Sequence, residues 1–225
     1  MPEKAWYDTG EDAEKVHDDE EARREKARAD GSIHRFWMPA PRKDDDGVMQ
    51  DSVARITFVD DVTHPIHKFK TPFVYMEHQL FLDGSWKNWY TCPKKQLGSC
   101  PLCESGNVPY LASAFTIIDH SEWSARDGTL HKDEVKLYIA KSKVLKVLRR
   151  AAAKKKGLRG WLVEVMRTSG KSPNTGDQFD FEERSKLSDE TQAYDYPKLL
   201  EPLPMEKLKE LVGDLETEGE EEVRF

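Results

Sequence analysis

Three cysteines fall within residues 92–103 of this chain: Cys92, Cys100 and Cys103, the last two in the run Ser99-Cys100-Pro101-Leu102-Cys103. An odd number of thiols, with no apolar leader after Met1-Pro2-Glu3-Lys4, argues against a disulfide framework. A Cys-x-x-Cys pair serves redox chemistry in a βαβ setting, and this stretch lacks one. Structural zinc needs four ligands in a tetrahedron, and a two-cysteine knuckle supplies half of them. Cys92 is the third ligand, and a histidine is the expected fourth. Among seven histidines, His78 lies on a strand entering the Asp83-Gly84 turn, whereas His64 and His67 precede that strand. A two-residue turn sets position 78 against 89, which leaves Cys92 ~10 Å along if the strand stays straight. Pro93 favours a bend that closes this distance. With four protein ligands no position stays open for water, so the expected zinc is single and structural. The His-x-Glu that zinc deaminases place before their cysteines is absent; His120-Ser121-Glu122 follows them instead.

Around the cysteines the chain alternates in period 2, which predicts a short-stranded, mainly β domain. Strands are expected over residues 33–38, 53–59, 73–82, 85–90, 110–119, 135–140, 161–167 and 177–181. One principal helix is expected over 143–156, with Val144, Leu145, Val147 and Leu148 at helical spacing and Gly157 as C-cap. A short helix at 205–211 follows Pro204. No apolar run approaches the ~20 residues of a membrane span.

Charge is segregated. The net charge of -7 combines an acidic N-terminal arm (1–31), a basic body (32–182) and an acidic C-terminal part. The last divides into an extension with a short helix (183–212) and a tail (213–225) expected to be disordered. Between Lys136 and Val163 every charged residue is basic, including Lys141, Lys143, Arg149 and Arg150. Such a run attracts phosphates. Aromatic residues interleave with bases in Trp86-Lys87-Asn88-Trp89-Tyr90 and the nearby Lys94-Lys95, and Trp37, Tyr110 and Tyr138 are further ring candidates. Single-strand binders combine stacking rings with backbone-tracking bases, so these residues are the expected nucleic-acid contacts. No phosphate-binding Gly-x-x-x-x-Gly-Lys-Ser/Thr loop occurs, and no catalytic constellation stands out, so the expected role is not enzymatic.

The order Glu77-His78, Asp83-Gly84-Ser85-Trp86, Thr91-Cys92 and Ser99-Cys100-Pro101-Leu102-Cys103 resembles the zinc-containing, helix-destabilising single-stranded DNA-binding proteins of the T-even phages. The resemblance implies an OB-fold-like barrel over 32–182, with an embedded zinc subdomain at about 76–106. It puts the zinc ligands at His78, Cys92, Cys100 and Cys103. Further implied are protection of single-stranded DNA in phage replication, recombination and repair in a bacterial cytoplasm, and an acidic tail recruiting replication or recombination proteins. Glu220, Glu221, Glu222 and Phe225 would carry that recruitment. A second reading stands beside it: a zinc-stabilised replication or transcription adaptor that mainly binds protein. A metal-dependent nuclease is the third.

Overall fold

The computed structural model describes residues 35–44, 46–60, 72–82, 85–124, 130–188 and 190–221. All of them fall in one compact unit that begins at Arg35. The acidic arm 1–31, His64, His67, the Asp83-Gly84 turn, Glu222 and Phe225 lie outside the described residues. In chain order the elements are β1 (Arg42–Lys43), β2 (Met49–Gln50), β3 (Ser52–Phe58), β4 (Phe73–Leu82) and β5 (Ser85–Thr91). Two short helices follow, α1 (Lys94–Leu97) and α2 (Pro101–Glu104). Next come β6 (Tyr110–Asp119), β7 (Trp123–Ser124), β8 (Leu130–His131), β9 (Glu134–Lys141) and α3 (Ser142–Lys155). Last are β10 (Trp161–Arg167), β11 (Gln178–Arg184), α4 (Tyr196–Leu199) and α5 (Met205–Glu221).

Strand β6 organises the rest. Along one edge it pairs with β9 over its length, from Ala112 opposite Lys141 to Asp119 opposite Glu134. Its other edge is shared: the first half pairs with β4, Tyr110 opposite Glu77, and the last three residues pair with β3, Ile117 opposite Phe58. Crowding on both edges and both faces explains a strand with almost no alternation, buried from Ala112 to Ile117. From this trunk one arm runs β3–β10–β11 and the other β4–β5. Ala54, Ile56 and Phe58 of β3, Phe115 and Ile117 of β6, Tyr138 of β9 and Val163 and Val165 of β10 form the main core. Helix α3 closes it with Val144, Leu145 and Leu148, so truncating Leu148 would cost about 2–5 kcal/mol. The left-handed residue that ends α3 is Lys156, one before the expected glycine, and Gly157 donates to Ala152 O at 2.9 Å. At Gly160, with φ +78°, a Cβ would stand 2.1 Å from the Ser185 carbonyl oxygen, so only glycine fits where β10 begins.

The longer strands match the alternation in the sequence. Of the strand expected over 33–38, the described residues form only an isolated bridge from Arg35 to Leu137, because Pro39 and Pro41 end the extended run. The barrel does not form. The seven-stranded sheet is open, ending at β11 on one side and β5 on the other, and these two end strands do not pair. Closure would need the last strand hydrogen-bonded back to the first. Instead β11 exposes charged residues along its edge, which discourages further pairing. The fold is therefore mixed α/β, with five helices among the described residues. The OB-type, mainly β expectation with one principal helix is corrected on this point. The C-terminal helix is also longer than expected. It runs on through Gly213 to Glu221, across much of the segment expected to be disordered, because that stretch is rich in helix-forming glutamate. None of the described helices is long and apolar enough to cross a membrane.

The return of the chain toward its end is fixed by a buried polar network on the back of β6. Tyr196 donates to Asp60 Oδ1 at 2.6 Å, and the Thr116 backbone N–H donates to Asp60 Oδ2 at 2.6 Å. The Tyr194 N–H donates to Thr116 Oγ1 at 2.9 Å, and the Tyr196 hydroxyl lies 2.8 Å from that oxygen. Burial pushes the Asp60 carboxyl up to about 7, against the opposing pull of these hydrogen bonds and of Arg159. The unfolded chain releases this proton near 3.8 while the folded one keeps it to about 7. The folded state thus binds more protons in that window, and stability falls as pH rises through it. Asp60→Asn keeps an acceptor oxygen for Tyr196 and removes the titration. The wild-type melting temperature is expected to fall relative to the variant between about pH 5 and about pH 8, measured on zinc-saturated protein. A constant difference across that range would contradict the assignment.

Candidate metal centre

The β4–β5 hairpin carries a bulge between Leu80 and Leu82, and that extra residue sets the geometry of everything beyond it. His78 faces Tyr90, not position 89, and Cys92 continues the ladder by donating to Met76 O at 2.9 Å. Cys92 is therefore the diagonal neighbour of His78 on the same face of the hairpin. Without the slip it would point to the opposite face. Beyond Pro93 the single turn of α1 ends at Gly98, whose φ of +78° reverses the chain. Cys100 is extended, and Pro101 starts α2 at its first position, which brings Cys103 back beside Cys100.

The four donor atoms converge. His78 Nε2 lies 3.4 Å from Cys100 Sγ and 3.7 Å from Cys103 Sγ, and Cys92 Sγ lies 3.6 Å from Cys103 Sγ. All four ligand atoms lie within 4.8 Å of one another. A tetrahedral zinc places sulfur atoms about 3.8 Å apart and nitrogen about 3.6 Å from sulfur. His78, Cys92, Cys100 and Cys103 thus fit a single structural zinc, and the protein fills all four positions. Burial pushes the Cys100 thiol up and the Cys103 thiol up to about 12, and it pushes the His78 imidazole down. The imidazole is therefore neutral with a lone pair to give, and metal binding must displace thiol protons. Asn107, which no spacing in the sequence marks, completes the site. Its Oδ1 accepts from His78 Nδ1 at 2.7 Å, which fixes Nε2 as the metal-facing nitrogen.

Around the ligands lies a second, smaller core. Leu80, Leu82, Cys92, Cys100 and Leu102 pack against Leu208 of α5, with Leu203, Met205, Leu211 and Val212 at its margin. Helix α5 is thus seated on the metal-binding loops.

The other residues expected from the sequence fall in different environments. Tyr138 is completely buried among Phe36, Phe58 and Phe115, with its hydroxyl donating to Thr175 O at 2.8 Å, so no face of its ring is open to a base. Tyr110 donates to buried Glu77 at 2.5 Å, and Lys141 lies 4.1 Å above its ring. Glu77 also accepts from Arg35 at 2.6 Å and Tyr75 at 2.7 Å, and Arg35 covers Trp89 at 4.4 Å. Tyr90 is half-buried against the small core. Trp37 and Trp86 are exposed, as are Lys94 and Lys95 on α1 and Lys143, Arg149 and Arg150 on α3. Glu220 and Glu221 fall in the last turn of α5. One further arrangement has a catalytic look: His120 Nε2 lies 2.8 Å from Thr57 Oγ1, and His120 Nδ1 lies 2.5 Å from Asp133 Oδ1. Thr57, however, is buried on β3, and this relay ties the ends of β3, β6 and β9 together.

Two measurements check the centre. Asn107→Ala is expected to weaken zinc affinity by about 10–100-fold while one zinc still binds at saturation; competition with a chromogenic chelator reads this, and unchanged affinity would show that the Asn107 hydrogen bond does not orient the His78 imidazole. Stripping the metal is expected to unseat α5, so limited proteolysis should cut between residues 200 and 212 only in the metal-free protein. Equal resistance of both forms would show that α5 does not depend on the centre.

Neither the models of known protein families nor the curated protein sequences match this chain. The resemblance to the phage single-stranded DNA-binding proteins is not upheld, because the closed OB barrel it requires is replaced by an open sheet. The function, the phage origin and the replication, recombination and repair roles attached to it fall with it, and the zinc ligand set stands on its own geometry.

Proposed function

We propose that this chain is a zinc-stabilised adaptor, not an enzyme, that mainly binds protein and does so at the β4–β5 hairpin. One observation carries the reading: the hairpin that the metal ligands hold at one end presents a bare aromatic pair at the other. Trp86 is 60% exposed and Phe81 38% exposed, with ring centroids 5.3 Å apart. Large exposed rings in contact with each other are typical of interaction surfaces, and tryptophan is enriched among the residues that dominate them. Strand β5 is also the end of its arm of the sheet. The zinc ligands His78 and Cys92 flank the open end of the hairpin, so metal binding pre-orders this surface before a partner arrives. A centre whose four ligands are all side chains supports a structural role for the metal.

The test is photo-crosslinking in the source cells, with a reactive group placed at position 87, next to Trp86. Zinc-loaded protein is expected to cross-link to a defined protein, and nuclease treatment should leave that product intact. Trp86→Ala is expected to lose the product while retaining zinc and its melting temperature. A product that disappears with nuclease, or that persists in Trp86→Ala, would overturn the reading.

A further inference from the structure

Between α3 and the start of β6 lies an open cavity of about 410 Å³ that no part of the adaptor reading uses. Its floor is aliphatic, formed by Leu111 of β6 with Leu145 and Ala153 of α3, and its rim carries Lys146, Arg149 and Arg150. The α3 residues recur at three- and four-residue spacing, so they form one continuous face of the helix. Leu111 is 40% exposed although it lies in the central strand, and its cross-strand partner Met76 is exposed beside it. No acidic side chain lines the cavity, and none occurs from Lys136 to Val163. Among the described residues the groove thus holds three cations and no carboxylate.

We infer that this groove is a docking site for an acidic, amphipathic helical segment of a partner protein. An apolar floor flanked by cations takes a helix that sets Leu or Phe side chains into the groove and turns carboxylates toward Lys146, Arg149 and Arg150. The size is in the range of pockets that hold one or two large side chains. A nucleic acid is the less suitable occupant. Single strands bind by stacking on rings as well as by cations along the backbone, and among the described residues no aromatic lines this groove; the rim cations would serve a phosphate, but the leucine floor gives a base nothing to stack on. The site lies on α3 and β6, and neither Trp86 nor Phe81 is among its lining residues.

The probe is a fluorescein-labelled synthetic peptide of about 15 residues, with glutamates on one helical face and leucines at i, i+3, i+4 and i+7 on the other. Zinc-loaded protein is expected to raise its anisotropy with saturation in the micromolar range, about the affinity of a small groove contact. Arg149→Glu combined with Arg150→Glu is expected to weaken binding about tenfold or more and to flatten its salt dependence. Leu111→Ser is expected to weaken it about tenfold with the salt dependence kept. Zinc content and circular dichroism confirm that each variant is folded; if Leu111→Ser fails this control, the same peptide with its leucines replaced by serine supplies the missing arm. Three results would overturn the inference: equal binding by the charge-reversal variant, equal binding of the serine peptide, or saturation of the groove by oligo-dT with no binding of the acidic peptide.

Discussion

The metal clamp across the β4–β5 hairpin is the constraint on which the rest of this half of the molecule depends. Three loops with little regular structure of their own (the end of β5, α1 and α2) owe their positions to four donor atoms from residues 78, 92, 100 and 103. Single-turn helices such as Lys94–Leu97 and Pro101–Glu104 are far below the length at which a helix is stable alone, so tertiary ties must hold them. A zinc bound by three thiolates and an imidazole is such a tie, and its binding free energy is folding free energy. The β-bulge makes the clamp feasible. By inserting one residue it brings Cys92 onto the face of His78, and Asn107 then turns the imidazole so that Nε2 meets the thiols.

The other half is organised by β6, which joins the first through its ladder with β4, and the C-terminal segment touches both. Sharing one edge between β3 and β4 branches the sheet, which leaves β5 and β11 as free ends and prevents a barrel. On the back of the trunk, Asp60, Thr116 and Tyr196 form a satisfied buried network that directs the chain from α4 toward α5. Helix α5 then places Leu208 in the small core shared with Cys92 and Cys100. The end of the chain thus reports on both the sheet and the metal.

Much of the local structure was legible in the sequence. Phe73–Leu82 and Tyr110–Asp119 are strands at the expected limits, and the helix after β9 sits where its leucines recur. The zinc ligands were legible because thiol spacing is chemically specific. Strand order was not, because period-2 alternation says which side chains share a face but not which strand lies alongside. The bulge escaped for a similar reason: nothing in Leu80-Phe81-Leu82 distinguishes a regular ladder from a slipped one. Burial of the aromatics was not legible because Tyr138 and Trp86 belong to one residue class, and only the packing of Phe36, Phe58 and Phe115 makes the first a core residue while the second stays exposed. Likewise, a run of bases on α3 carries the same charge whether rings or leucines lie beside it.

X-ray absorption at the zinc edge of the purified, metal-loaded protein tests the central claim most directly. A hairpin closed by His78, Cys92, Cys100 and Cys103 requires a four-coordinate shell of three sulfurs at about 2.3 Å and one imidazole nitrogen at about 2.0 Å, with no bound water. Loss of one sulfur in Cys100→Ser and loss of the imidazole scattering in His78→Ala would assign the ligands individually. A shell of oxygen and nitrogen alone, or a spectrum unchanged by either substitution, would contradict a metal clamp at the base of the hairpin and with it the ordering of the loops and of α5.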